Sequence, residues 1–216
     1  MKYLFVTGAP GSQWSSVVRN IYFSPEVNQS DYSVERTYYH AAKGTKQLMH
    51  LGSYFDPGME FGDNFDVMNF CTVEECEEEF NRPFTHDMGI KIVKSHFFAY
   101  HLDFMKENWK DPIILVQKDP DACIGWWIRC GHFNITYPSY KHYGDIDRMV
   151  GFVDAQDKAI TKFIQSNDTL KLNNSFQLAD ALGIHKENVY FQEYGENKQN
   201  VYLYWKKFDG NQVFLA

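Results

Sequence analysis

Residues 2–23 constrain this chain more than any other stretch. "KYLFVTG" (2–8) is a short apolar run closing on glycine, the pattern of a parallel strand buried on both faces. The chain then turns, and "SSVVRNIYF" (15–23) has apolar residues at helix-compatible spacing, with Ser12, Ser15 or Ser16 available to cap its start. A strand, a glycine-containing turn and a helix in that order aim successive backbone N–H groups at one point, where the helix dipole also favours negative charge. Gly8 and Gly11 permit the backbone torsions, and Ser15 and Ser16 add hydroxyl donors. The expected occupant is a phosphate group; the plain alternative is a tight strand–helix turn that binds nothing.

The turn opens "GAPGS", as the phosphate cradles of many ATP and nucleotide kinases do, but Gln13 and Trp14 stand where Gly and Lys would follow. In a kinase that lysine reaches the β- and γ-phosphates, and the next hydroxyl holds Mg²⁺. Without it, charge on a transferring γ-phosphoryl group is poorly met. A ligand presenting one phosphate, with no metal, still suits the loop.

Further along, "GIKIVKSHF" (89–97) reads as a second buried strand ending at Lys94-Ser95-His96. "DPIILVQKDP" (111–120) reads as a third, ending at Lys118 and followed by the helix-like "DACIGWWIRCGHF". The acidic "TVEECEEEF" (72–80) is expected to be the solvated face of a helix, and 149–165 and 175–183 are predicted helices, the second closed by Gly183. "ENVYFQEYGENKQNVYLYWKKF" (187–208) reads as two alternating segments joined by a turn at 195–199, a hairpin. Strands alternating with helices predict an α/β fold over a single domain, 1–216, with a mostly parallel central sheet flanked by helices in three layers. Ligands of such sheets sit at the carboxyl ends of the strands. Gly8, His96 and Lys118 therefore converge on one edge.

A net charge of −7 argues against a nucleic-acid surface or an anionic membrane as partner, so an anionic ligand must be held by local cations and backbone amides. The chain has no apolar run long enough to cross a bilayer, and Met1-Lys2 leads directly into a strand-like segment; a cytoplasmic protein is expected. Cys71, Cys76, Cys123 and Cys130 lack CxxC spacing and read as reduced thiols, mostly buried. His96 and His101 are one residue off ligand spacing on a helix, and no metal is expected. The 18 Phe, 14 Tyr and 5 Trp suit either a ring-filled core or a pocket for flat ligands, which composition alone does not separate.

Three segments together resemble the P-loop sulfotransferases, which move a sulfonyl group from 3′-phosphoadenosine 5′-phosphosulfate (PAPS). The family's PKSGTTW loop is matched by Pro10-Gly11-Ser12-Gln13-Trp14-Ser15-Ser16 when prolines are aligned; aligning tryptophans instead would let Trp14 stack on adenine. In both registers the family's loop lysine is missing, falling on Gly11 or Ala9. "IKIVKSHFF" resembles the family's strand-end KTH segment, which implies His96 as general base and Lys94 as helper at the sulfonyl group. "ILVQKDPDACIGWW" resembles the strand–helix segment that holds the 3′-phosphate; Lys118 takes the place of its Arg and Trp126 that of its Ser, with Arg129 a turn on as a possible substitute. "FQLADALG" and "YWKKF" echo the family's later helix and ending. The resemblance covers residues 2–20 and 89–132 and looks like a compact microbial or phage-type member. It implies PAPS as sulfonyl donor and a small-molecule or carbohydrate acceptor lined by residues 24–89 and 132–150. A divergent nucleotide or small-molecule kinase, and a non-catalytic nucleotide-binding protein, are the alternatives; the acceptor and the oligomeric state are left open by the sequence.

Overall fold

The computed structural model describes residues 1–33, 38–40, 47–129, 145–195 and 198–206. Its first element, β1 (Tyr3–Gly8), is buried at all six positions. Side chains alternate across a strand, so burial throughout demands packing on both faces. Leu4 and Val6 join one core with α1 (Trp14–Tyr22). Tyr3 and Phe5 join the other, which is closed by α2 (Val73–Asn81) and α3 (Leu102–Asn108).

β1 lies between β4 (Lys91–Lys94) and β5 (Ile113–Gln117), parallel to both. Register pairs Val6 with Lys94 and Gly8 with Val116, so the carboxyl ends of all three strands share one edge. The sheet continues through β7 (Asn200–Tyr204) to β6 (Leu170–Leu172), giving the order β4-β1-β5-β7-β6. Both ladders of β7 are antiparallel. The sheet is therefore mixed, and the mostly parallel sheet expected from the sequence is not what forms. A separate antiparallel pair joins β2 (Tyr38–His40) to β3 (Gln47–His50).

The expected hairpin over 187–208 also gives way. A turn closes at its centre through bonds between Gly195 and Gln199 and between Lys198 and Gly195. The preceding segment is not a strand paired with β7: it contains a 3₁₀ turn at Lys186–Asn188 and is held by Ser175, whose Oγ donates to the Tyr190 carbonyl and accepts the Gln192 N–H. Insertion between β5 and β6 puts Val201 and Leu203 in one core and Tyr204 in the other, burial that a free hairpin would not provide.

α4 (Pro120–Arg129), α5 (Ile146–Ser166) and α6 (Ser175–Leu182) complete the helices. α5 starts at a cap from Asp145, a little before its predicted start, and α6 ends on Gly183 at φ 71° as the sequence leads one to expect. The acidic stretch is α2, burying Cys76 and Phe80 while its glutamates face outward or sit at the margin. Among the described residues the aromatics largely form core: Phe5 meets Phe80 at 5.3 Å and Phe98 at 5.8 Å, both edge-on. Among the described residues no helix is long and apolar enough to cross a membrane.

Gly11 marks where α4 closes on the loop after β1. It adopts φ 84°, and a Cβ there would lie 2.4 Å from the Cys123 carbonyl oxygen. Gly11→Ala is expected to cost roughly 2–4 kcal/mol, from left-handed strain and the clash together, read as a lower urea midpoint with unchanged m-value.

Candidate functional site

The loop after β1 closes on itself through the Ser12 N–H, which donates to the Ala9 carbonyl at 3.0 Å. Gly11 and then Gln13, at φ 64°, take left-handed torsions. Gln13 is the only non-glycine to do so among the described residues, and it stands where the kinase pattern carries its second glycine. Gln13 is also the N-cap of α1 and supplies no side-chain bond to it. The cap is Gln13 rather than one of the serines expected from the sequence, and it serves α1 through its backbone carbonyl, which accepts the Ser16 N–H at 3.0 Å.

The three serines differ. Ser16 Oγ donates to the Gln13 carbonyl at 2.8 Å and accepts from Gln192 and Gln199, so it ties the start of α1 to the last segment of the sheet. Ser15 is half-buried. Ser12 is buried, folded close over Gly8, and its hydroxyl has no partner among the described residues. An enclosed hydroxyl without a hydrogen bond is costly, and its place in this loop suits an anion or an ordered water. Ala9, Pro10 and Gly11 are buried as well, beneath Cys123 and Trp127 of α4 and Met149 and Val153 of α5.

His96, two residues beyond β4, meets the loop directly. Its Nδ1 bonds to the Gly8 carbonyl, its ring packs 4.6 Å from Trp14 and 5.9 Å from Tyr54, and it is 2% exposed. A carbonyl can only accept, so Nδ1 carries the proton and Nε2 presents its lone pair. Burial pushes the imidazole pKa below its ordinary value, against the opposing pull of Asp56 and the Gly8 bond. The ring is a neutral base at pH 7. Trp14, which one register would place on an adenine, is instead enclosed between His96 and Tyr54.

Lys94 takes a different direction. It shares a strand face with Ile92, toward α1, and its ammonium donates to the Leu51 carbonyl. Burial lowers its pKa to about 8, with the Asp31 carboxylate opposing. Asp31 accepts from Tyr22 Oη at 2.7 Å and from the Ser53 N–H at 2.9 Å. Lys94 thus fixes residues 51–53 against α1.

Lys118 follows β5, half-buried, and Trp126 is half-buried on α4. Neither makes a hydrogen bond or ion pair with the loop among the described residues, and Arg129 is exposed at the end of α4. The segment 51–62, expected on the acceptor side of a cleft, is largely core: Leu51, Tyr54, Phe55, Met59 and Phe61 are buried. Residues 34–37, 41–46 and 130–144, which include Cys130 and much of the expected acceptor lining, lie outside the described residues.

Sequence reasoning passed over Asp56. It is fully buried; one carboxylate oxygen accepts from Ser95 Oγ and, at 2.8 Å, from the His96 N–H. Its only local signal is the turn "DPG" (56–58), which says nothing of a strand end forty residues on.

A histidine whose folded pKa is lowered holds fewer protons than the unfolded chain below about pH 6.5, so stability should fall as pH drops from there through the folded value. Urea midpoints measured from pH 7.5 to 5 are expected to decline, and His96→Gln should shallow the decline by up to about 1.4 kcal/mol per pH unit. His101, whose pKa is also lowered by burial, accounts for part of the slope that remains. Comparison with protein-family models, with curated proteins and with solved structures returned no match for this chain.

Proposed function

We propose that the loop between β1 and α1 binds the phosphate end of a nucleotide and that the protein is a PAPS-dependent sulfotransferase with His96 as general base. The observation that carries this reading is the bond between His96 and the loop itself: Nδ1 is anchored on the Gly8 carbonyl, which leaves a neutral Nε2 as proton acceptor beside the phosphate-binding turn. Together with the left-handed backbone at Gly11 and Gln13 and the unpartnered Ser12 hydroxyl, this supports a P-loop arrangement at the strand-end edge.

The residues present fit the 5′ end of PAPS better than the 3′ end. Backbone N–H groups of the loop and the Ser12 hydroxyl would hold the phosphosulfate; Lys118, with Arg129 in reserve, is the cation available for the 3′-phosphate. Trp126 brings an indole where the family brings a hydroxyl. When bound, PAPS supplies the sulfonyl group that is transferred. His96 Nε2 takes the proton from the acceptor hydroxyl or amine, and the loop N–H groups meet charge developing on the departing nucleotide. Trp14 and Tyr54 keep water from the imidazole, and Asp56 fixes the backbone from which it projects. The acceptor is a small molecule or carbohydrate rather than a nucleic acid, consistent with a net charge of −7 and a cytoplasmic setting.

A second reading, a nucleotide-binding protein without activity, is favoured by the 2% exposure of His96 and by the engagement of Lys94 with Leu51. Calorimetric titration with 3′,5′-adenosine diphosphate in the absence of metal distinguishes the cases. Binding on the order of micromolar is expected, weakened about five-fold by Ser12→Ala and further by Lys118→Ala. His96→Ala should keep that binding while lowering sulfonyl transfer at least 100-fold. Binding without transfer to any acceptor supports the inactive reading; binding of ATP–Mg²⁺ in its place supports a kinase; no binding of either sinks the nucleotide proposal.

A further inference from the structure

α2 begins with a reciprocal cap. Thr72 Oγ1 accepts the Glu75 N–H at 3.2 Å, and the Glu75 carboxylate accepts the Thr72 N–H at 2.7 Å. Such a cap fixes the angle at which the chain enters the helix, and so sets the residue before the cap against the residue four positions after it. That pair is ordinarily apolar and staples the helix start to its approach. Here it is Cys71 and Cys76. Both contribute to the aromatic core beneath α2, Cys76 inside it and Cys71 half-buried at its margin. The two thiols are close enough to influence each other's ionisation.

We propose that Cys71 and Cys76 are a redox modification site: a peroxide converts them to an intramolecular disulfide that clasps the N-terminus of α2, and a dithiol reverses it. Cys71 is the more exposed sulfur and reacts first. Its thiolate attacks one peroxide oxygen; the O–O bond breaks, an alcohol or water leaves, and Cys71 becomes a sulfenic acid. Cys76 sulfur then attacks the Cys71 sulfur, the S–O bond breaks, and the hydroxide that leaves takes up the proton from Cys76. Two thiols lose two electrons and the peroxide gains them.

Local charge makes this chemistry slow at neutral pH. Burial and the carboxylates of Glu75 and Asp66 disfavour a thiolate at Cys71, outweighing the influence of the neighbouring Cys76 thiol; burial, Cys71 and Glu75 push Cys76 up to about 12. The rate of formation should climb steadily from about pH 7 to 9, following the thiolate fraction of Cys71.

The test uses the full chain treated with hydrogen peroxide and digested, after unfolding and thiol blocking, by a protease that cuts after glutamate. Cleavage after Glu74 and Glu75 puts the two cysteines on separate peptides. The expected result is that these peptides stay joined until dithiothreitol is added, with a loss of two titratable thiols per chain, and that Cys71→Ser abolishes the link. The oxidised chain should melt roughly 5 °C higher, because the bond restricts the unfolded state. Peptides that separate without reductant, whether the thiols remain intact or Cys71 has advanced to a sulfinic acid, overturn the proposal. So does a bond from Cys71 to Cys123 or Cys130, or a melting temperature that falls on oxidation.

Discussion

Burial of β1 on both faces is the constraint on which the rest of the structure depends. Six consecutive enclosed residues need strands on either side and a helical layer above and below. β4 and β5 supply the strands, and their parallel ladders fix the register that brings Lys94, Gly8 and Gln117 to one edge. α1 lies on one face while α2 and α3 close the other. The loop between β1 and α1 stands at that shared edge because the strand before it is central.

Polar groups at this edge are enclosed, and nearly all are bonded. Asp56 receives Ser95 and His96, His96 is anchored on Gly8, and Lys94 holds Leu51 under the influence of Asp31. Each group alone would be expensive to bury; as partners they offset much of that cost and admit few other arrangements. The network draws residues 31 and 51–56 into the site. Two hydroxyls here, those of Ser12 and Ser53, are enclosed without a partner among the described residues. Of the two, Ser12 lies in the loop after β1, which makes that loop the focus of the functional reading.

Periodicity located what local sequence controls. The apolar runs at 2–8, 89–97 and 111–120 became β1, β4 and β5, each somewhat shorter than its run. Gly183 ended α6 because the left-handed torsion there is its own property. Pattern failed where pairing was chosen at a distance. β7 alternates as a hairpin strand does, yet its partners β5 and β6 precede it by many residues, and the mixed sheet follows from that choice. Ser16 has the composition of a helix cap but is drawn to Gln192 and Gln199 from the far end of the chain.

The same division holds at the candidate site. By itself the sequence determined a buried strand, a glycine-bearing turn, a helix after it, and a histidine at the end of a second strand, because these depend on torsional preference and the spacing of apolar residues. Tertiary structure decided that Gln13 adopts a glycine-like torsion, that His96 leans on Gly8, that Lys94 turns toward Leu51, and that Asp56 holds the strand end. The physical reason is that a buried hydrogen-bonding group must find its partner wherever the packed chain offers one. The sequence distance to that partner leaves no mark on local pattern.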